Sequence, residues 1–386
     1  MTVAPSVIEW VSAEQSEFFG VVTRFARTLP DDSRERDRSG EFSREAWDRC
    51  GAFGVQGLPV PQDLGGGGAD VVTTMLALEG LGYGCRDNGL VFSINAHLWT
   101  SVIPLWRFGS EEQRARWLPG LCSGQLIGCH AITEPEAGSD AFAMRATARR
   151  VPGGYTLDGR KVFITNAPVA DVLIVFARTS EGIGPFGISA FLIERGTSGC
   201  SVSREFDKMG LRTSPMSEVV LEDCSVPDEA ILGERGRGGE IFQESMRWER
   251  ACIMASQVGL MRRTMERCAE YARQRRQFGQ PIGKFGSVAD KIANMRIAVD
   301  ASRALVLRVG WLMDAGRDAT VEAAVAKAFV SEANVRMHLD AVQIHGGYGY
   351  MTEVEIERAL RDAVGGTIYS GTSEIQRRII ARDLGL

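Results

Sequence analysis

The chain has 386 residues, room for two or three domains, and its 44% hydrophobic and 24% charged residues are the ordinary balance of a soluble globular protein. A formal net charge of −5 argues against non-specific binding to nucleic acid or a membrane surface, and no run of about eighteen apolar residues is present to span a bilayer. The eight cysteines form no C-x-x-C pair and the four histidines no ligand cluster, which disfavours a metal site and fits reduced thiols in the cytoplasm.

Met1 to Glu17 lacks a basic segment followed by an apolar one, so no secretory signal is expected. From there to about residue 122, apolar positions recur at helical spacing in Phe18–Phe25, Val72–Leu81 and Val91–Phe108. The Gly-rich Asp63–Asp70 segment reads as a loop between two of these helices. Over about 123 to 234 the texture changes to short β-rich runs, such as Val162–Ile164, Val172–Phe176 and Val219–Leu221, separated by Gly, Pro and Asn. That pattern predicts a small barrel or sandwich. From about 235 to the end, the long amphipathic stretches Ile241–Arg275, Val288–Ala315 and Val321–Gln343 predict a helical bundle. The expectation is an α+β chain, mostly α: an N-terminal helical domain (1–122), a middle β domain (123–234) and a C-terminal helical bundle (235–386).

Five blocks carry a family resemblance. They are Ile132–Thr133–Glu134–Pro135–Glu136–Ala137–Gly138–Ser139–Asp140, Lys161–Val162–Phe163–Ile164–Thr165–Asn166, Arg273–Gln274–Arg275–Arg276–Gln277–Phe278–Gly279, Gln343–Ile344–His345–Gly346–Gly347–Tyr348–Gly349, and Gly371–Thr372–Ser373–Glu374–Ile375–Gln376–Arg377. In this order and spacing they resemble the FAD-dependent acyl-CoA dehydrogenases. The resemblance implies that family's fold: a helical domain, a middle β-barrel and a C-terminal four-helix bundle. It also implies bound FAD.

Glycines Gly346, Gly347 and Gly349 would let the backbone approach a phosphate or adenosine closely. Arg275 offers a guanidinium fork for a pyrophosphate. In the family this arginine reaches the FAD of a neighbouring subunit, which implies a homo-oligomer, commonly a tetramer. Thr133, Ser139 and Thr165 fall where family members contact the flavin ring or phosphates, and Phe163 matches an aromatic packed on the isoalloxazine. The resemblance adds His130, Ile132, Gly138, Gln277, Phe278, Gln343, Thr372 and Glu374 to the cofactor site. Taken singly, each has a plainer reading: a Gly-Gly pair ends helices, an arginine in a charge run is solvated, and Thr165 and Phe163 are strand residues. One departure is Gly286, where many members carry a glutamine that contacts the cofactor.

The base is the main question. Most members carry a catalytic glutamate just before the Gly-Thr pair, where this chain has Ser370. Desaturating a thioester needs a base for the α-proton while a hydride leaves the β-carbon for flavin N5. A glutamate in an apolar pocket, its pKa raised toward neutrality, suits that task. A minority of the family, the isovaleryl-CoA dehydrogenase-like group, supplies this glutamate from the first long bundle helix and keeps a small residue at the usual position. Glu249, in Met246–Arg247–Trp248–Glu249–Arg250–Ala251–Cys252, falls on that glutamate, and Ser370 is the small residue. Periodicity alone reads Glu249 as a surface residue paired with an arginine; the coupled pattern makes it the base. Ser370 is expected to contribute its backbone N–H to the thioester oxygen. Trp248, Arg250 and Tyr369 are expected to line the substrate pocket.

The same base position is shared by dehydrogenases of natural-product pathways that oxidise prolyl or acyl groups tethered to carrier proteins. The stretches Ser93–Ile94–Asn95–Ala96–His97–Leu98, Val102–Ile103–Pro104–Leu105–Trp106–Arg107–Phe108–Gly109, Ile164–Thr165–Asn166–Ala167–Pro168–Val169–Ala170–Asp171 and Ile379–Ile380–Ala381–Arg382–Asp383–Leu384–Gly385–Leu386 are similar to that group, and Lys208–Met209–Gly210–Leu211–Arg212–Thr213–Ser214 to ordinary acyl-CoA enzymes. The expected partner is an acyl or peptidyl carrier protein bearing a phosphopantetheine thioester, or else acyl-CoA, with an electron-transfer flavoprotein or oxygen as electron acceptor. Catabolic short- or branched-chain acyl-CoA oxidation and a catalytically silent thioester-binding protein are the other readings. His97 and His345 are substrate contacts or, preferably, satisfied structural histidines.

Overall fold

The computed structural model describes residues 11–180 and 184–386; residues 1–10, part of the stretch read above for a secretory signal, lie outside it. The chain opens with α1 (Ala13–Ala26), α2 (Ser33–Ser39), α3 (Arg44–Phe53), α4 (Val71–Gly84), α5 (Asn88–His97), α6 (Ile103–Phe108) and α7 (Glu111–Cys122). Strands follow: β1 (Gly128–Ala131), β2 (Thr147–Val151), β3 (Gly154–Thr165), β4 (Val172–Arg178), β5 (Ile188–Glu194), β6 (Cys200–Val202), β7 (Met216–Pro227) and β8 (Ile231–Leu232). The long helices are α8 (Gly238–Gln274), α9 (Gly286–Asp314, after the short hairpin strands β9 (Arg276–Gln277) and β10 (Gln280–Pro281)) and α10 (Thr320–His345). The shorter α11 (Ile356–Gly365) and α12 (Ser373–Asp383) end the chain and pack on α10. None of the described helices is long and apolar enough to cross a membrane.

The strands pair in the order β6-β7-β3-β2-β4-β5-β8, with β1 added in parallel beside β4. Their alternating apolar side chains enclose a separate core around Leu157, Ile164, Leu173, Phe191 and Val219. This is the β-rich unit the short runs predicted.

Helix α4 is buried on nearly every side, as an apolar helix without a polar stripe must be. Asp70 caps its first turn, accepting from the Thr73 N–H at 2.6 Å. Asp314, at the end of α9, accepts from the Val71 and Val72 N–H groups at 2.7 and 3.0 Å, so the first and last parts of the chain share one helix terminus. Where α4 crosses α8 the backbones almost touch: a Cβ on Gly82 would fall 2.0 Å from the Ser256 carbonyl, and one on Gly259 2.1 Å from that of Glu79. Only glycine fits at that crossing. A buried Arg303–Glu79 pair, 2.9 Å apart, ties α9 to it.

The segment Val91–Phe108, continuous by periodicity, contains a wide π turn at Leu98–Val102. Pro104 has no N–H to offer the carbonyl four residues earlier, so the regular ladder cannot run through. The Trp99 carbonyl instead accepts the Ser245 hydroxyl of α8 at 3.2 Å. This bond and the glycine crossing fix the height and rotation of α8, and therefore where Glu249 points.

Candidate active site

A cleft of about 1800 Å³ opens between the sheet, α5, α8, α10 and the loop leading into α12. Its sheet wall is made by His130, Ile132 and Thr133, by Gly138 and Ser139, and by Phe163 and Thr165 of β3. The register of β3 on β7 slips between Lys161 and Ile164; the bulged Phe163 takes φ 59° and its ring stays 64% exposed on the cleft side. Beneath it Lys161 is fully buried, its Nζ 2.8 Å from Glu134 Oε1 and 3.2 Å from the Ile132 carbonyl. Glu134 also accepts the N–H groups of Arg145 and Ala146, at 2.6 and 2.9 Å. Burial raises the carboxyl's pKa, and Lys161 with these bonds brings it below its usual value; burial lowers the Lys161 ammonium to about 8. This ion pair holds the Thr133–Asp140 turn against β3. The Asn166 turn that follows takes φ 66°, and its amide donates to the Ser93 carbonyl of α5 at 3.0 Å.

The helical wall carries Glu249 and Arg250 of α8, facing Tyr369, Ser370 and Thr372. Glu249 is 7% exposed, and burial lifts its carboxyl to about 7 despite the Ser370 hydroxyl and the cations of Arg250 and Lys327, which draw it down. The Ser370 hydroxyl is close enough to act on that carboxylate but makes no hydrogen bond of normal geometry. Ser370 and Gly371 both sit in the left-handed region, at φ 57° and 85°, an expensive conformation for serine. The turn is held by Gln376 Nε2, which donates to the Ser370 and Gly371 carbonyls at 3.2 and 2.8 Å, and by Lys327 Nζ, 2.6 Å from the Gly371 carbonyl. Among the described residues the Ser370 N–H has no intramolecular acceptor. Tyr369 packs its ring 4.7 Å from that of Phe92, and burial pushes its hydroxyl pKa up.

Other expected residues lie elsewhere. Trp248 packs behind the wall, its ring 6.0 Å from Trp99 and 6.3 Å from Trp106, and its Nε1 donates to Glu244 at 3.0 Å. Arg275, Gln277, Phe278, Gln343, Gly346 and Gly347 form an exposed face away from the cleft, with Phe278 93% exposed and the Arg275 guanidinium 5.9 Å from the Tyr348 ring centre. Glu374 is exposed in the first turn of α12, whose N-cap is Thr372. Both queried histidines are structural: His97 Nε2 bonds the Leu121 carbonyl at 3.0 Å while its Nδ1 accepts from the Gly128 N–H at 2.9 Å. His345 Nδ1 bonds the Ala341 carbonyl at 2.9 Å and stacks on Tyr271. Sequence reasoning passed over Phe92, Ala96, Thr100 and Phe242, which complete the cleft. Their apolar spacing marked them as helical, but not which way they face.

The lining has the signs of a site built for a large polar group. His130 Nε2, Arg250 Nε, Tyr369 Oη and Ser370 Oγ are buried without partners, and a side chain at Gly138 would meet open space. Buried polar atoms of this kind are normally satisfied, and an exposed aromatic beside them suits a flat ring. These residues fit a flavin and an acyl thioester side by side.

Comparison with known proteins agrees. Residues 12–125, 129–224 and 236–385 match the acyl-CoA dehydrogenase N-terminal, middle and C-terminal domains. An L-prolyl peptidyl-carrier-protein dehydrogenase of Serratia is 43% identical over 97% of this chain and 98% of its own. The crystal structure of the prolyl acyl carrier protein oxidase AnaB superposes with a TM-score of 0.95 at 45% identity, covering 97% of this chain and 100% of that one. PigA with FAD and proline gives 0.95 at 42%, covering both chains fully. The three-part fold, the cleft with its unpartnered polar atoms and these matches lead to one conclusion: the chain belongs to the acyl-CoA dehydrogenase family.

Proposed function

We propose that the protein is a flavin-dependent dehydrogenase that introduces an α,β double bond into a small acyl or aminoacyl thioester, prolyl-like in size, carried on the phosphopantetheine arm of a carrier protein. The observation that carries this reading is Glu249: a cleft-lining carboxylate, buried, poised near neutral pH and set against Ser370. FAD, when bound, supplies the hydride acceptor for the β-carbon. The protein's own residues do the rest. Glu249 takes the α-proton, and its apolar burial makes it basic enough to do so at neutral pH. The unpaired Ser370 N–H stabilises the oxygen of the developing enolate. Phe163, Thr133, Ser139, Thr165 and His130, with Ile132, Gly138 and Thr372, line the cleft and would hold the flavin there. Arg250 and Tyr369 border the acyl group.

Arg275, Gln277, Phe278, Gln343, Gly346, Gly347 and Glu374 do not reach the cleft of their own chain. We assign all but Glu374, which stands at the N-terminus of α12 beside Thr372, to the FAD of a neighbouring copy in a tetramer, which accounts for an exposed face bearing Phe278, Tyr348 and Tyr350. Electrons then pass to an electron-transfer flavoprotein or to oxygen. The eight free thiols, seven of them buried, support a cytoplasmic setting. The carrier assignment draws support from the prolyl carrier-protein relatives.

The test offers one prolyl group to the FAD-loaded protein on a phosphopantetheinylated carrier and on CoA, following loss of flavin absorbance. Faster bleaching with the carrier is expected. Equal or faster bleaching with CoA points to catabolic acyl-CoA chemistry, and none with any thioester points to a silent binding protein.

A further inference from the structure

Lys327 is a second ionisable group that the mechanism above leaves without a part. It lies on α10, fully buried, and its Nζ is 2.6 Å from the Gly371 carbonyl. A buried ammonium is costly unless it is paired, and this one sits among the groups of the site. Glu249 and Arg250 face it from α8, Glu374 from α12, and Glu332 lies on its own helix. The carbonyl it holds belongs to the residue after Ser370, in a turn whose two left-handed residues would relax if released.

We propose that Lys327 is a positioning residue for the proton-transfer step. By clamping the Gly371 carbonyl it fixes the Ser370–Gly371 turn, so that the Ser370 N–H points at the thioester oxygen, and its charge keeps Glu249 ionised beside that turn. One ammonium thereby couples the oxyanion donor to the base. The proposal rests on the roles given above to Glu249 and Ser370. Two further observations agree with it. Burial and Arg250 lower the Lys327 pKa to about 8 against the pull of Glu249, so at neutral pH the cation is present. Gln376 donates to that same Gly371 carbonyl and also to the Ser370 carbonyl, so two buried donors from two helices hold this one turn.

The experiment compares Lys327→Met and Lys327→Arg with the parent, all loaded with FAD, by the pH profile of flavin reduction under saturating thioester. Loss of the cation lets Glu249 hold its proton to higher pH. The acid limb of the Met variant should move up by about one pH unit, a loss of roughly tenfold on the acid side of the limb. In the Arg variant it should stay in place. Should the Met variant fail to fold, Lys327→Gln keeps a donor for the Gly371 carbonyl without the charge, and its acid limb should still move. An unmoved limb in a folded, FAD-bound Met or Gln variant overturns the proposal. Glu249→Gln, run alongside, separates the two failures: if it turns over normally the base assignment is wrong, whereas an inactive Glu249→Gln with an unmoved Lys327→Met limb sinks only the role of Lys327.

Discussion

Replacing Glu249 with glutamine should stabilise the protein, and only at high pH. Burial holds this carboxyl at about 7 instead of its ordinary 4.5. The folded state therefore keeps its proton more tightly than the unfolded chain does. Its contribution to stability is complete below the unfolded pKa and is lost as the pH rises through the folded one. Each pKa unit is worth about 1.4 kcal/mol, so above neutrality the parent fold gives up about 3 kcal/mol that a neutral amide of the same shape does not. Attraction to Lys327 and Arg250 is already contained in that figure, because both act on the same carboxylate. The assay is urea unfolding of the FAD-loaded parent and of Glu249→Gln, at matched protein and FAD concentrations, at about pH 5 and about pH 9. The two should be close in acid, and the variant should lead by up to about 3 kcal/mol in base. A variant no more stable than its parent at the higher pH would mean that the carboxyl is solvated and not held in an apolar pocket.

Three other perturbations test the rest of the site. Lys161→Met leaves the Glu134 carboxylate buried without its cation and should cost about 3–5 kcal/mol in urea unfolding; adding Glu134→Gln should recover part of it, and a loss below about 0.5 kcal/mol would show the pair to be ornamental. Phe163 is 64% exposed, so Phe163→Ala should leave stability within about 0.5 kcal/mol while weakening FAD binding roughly tenfold by titration. Unchanged FAD affinity would remove Phe163 from the cofactor site. Arg275→Ala should leave protomer folding intact and weaken FAD retention by roughly ten- to a hundredfold in the assembled protein, read by size-exclusion chromatography with flavin absorbance. Parental retention at every protein concentration would contradict a shared site.

The long helices and the β-rich centre were legible because period and composition change abruptly near residues 123 and 235. The π turn at Leu98–Val102 was not, since the apolar pattern runs through it unbroken and only Pro104 hints at a fault. Glu249 could not be told from a surface glutamate by spacing; the absence of a glutamate at Ser370 singled it out, and the structure then brought the two together. Lys161 and Lys327 look like surface lysines in sequence, yet both are fully buried, because each one's partner, Glu134 or the Gly371 carbonyl, lies 27 or 44 positions away. Trp248 was expected in the substrate pocket and instead packs on Trp99 and Trp106. A one-residue rotation on α8 separates it from Glu249, and the sequence does not reveal how the helix is turned.

Hydrogen exchange at the α-carbon of a bound thioester tests the central claim most directly, because it isolates proton removal from every later step. With FAD retained, Glu249→Gln should slow solvent deuterium incorporation at that carbon by roughly a hundred- to ten-thousand-fold. Exchange at the parental rate would place the base elsewhere.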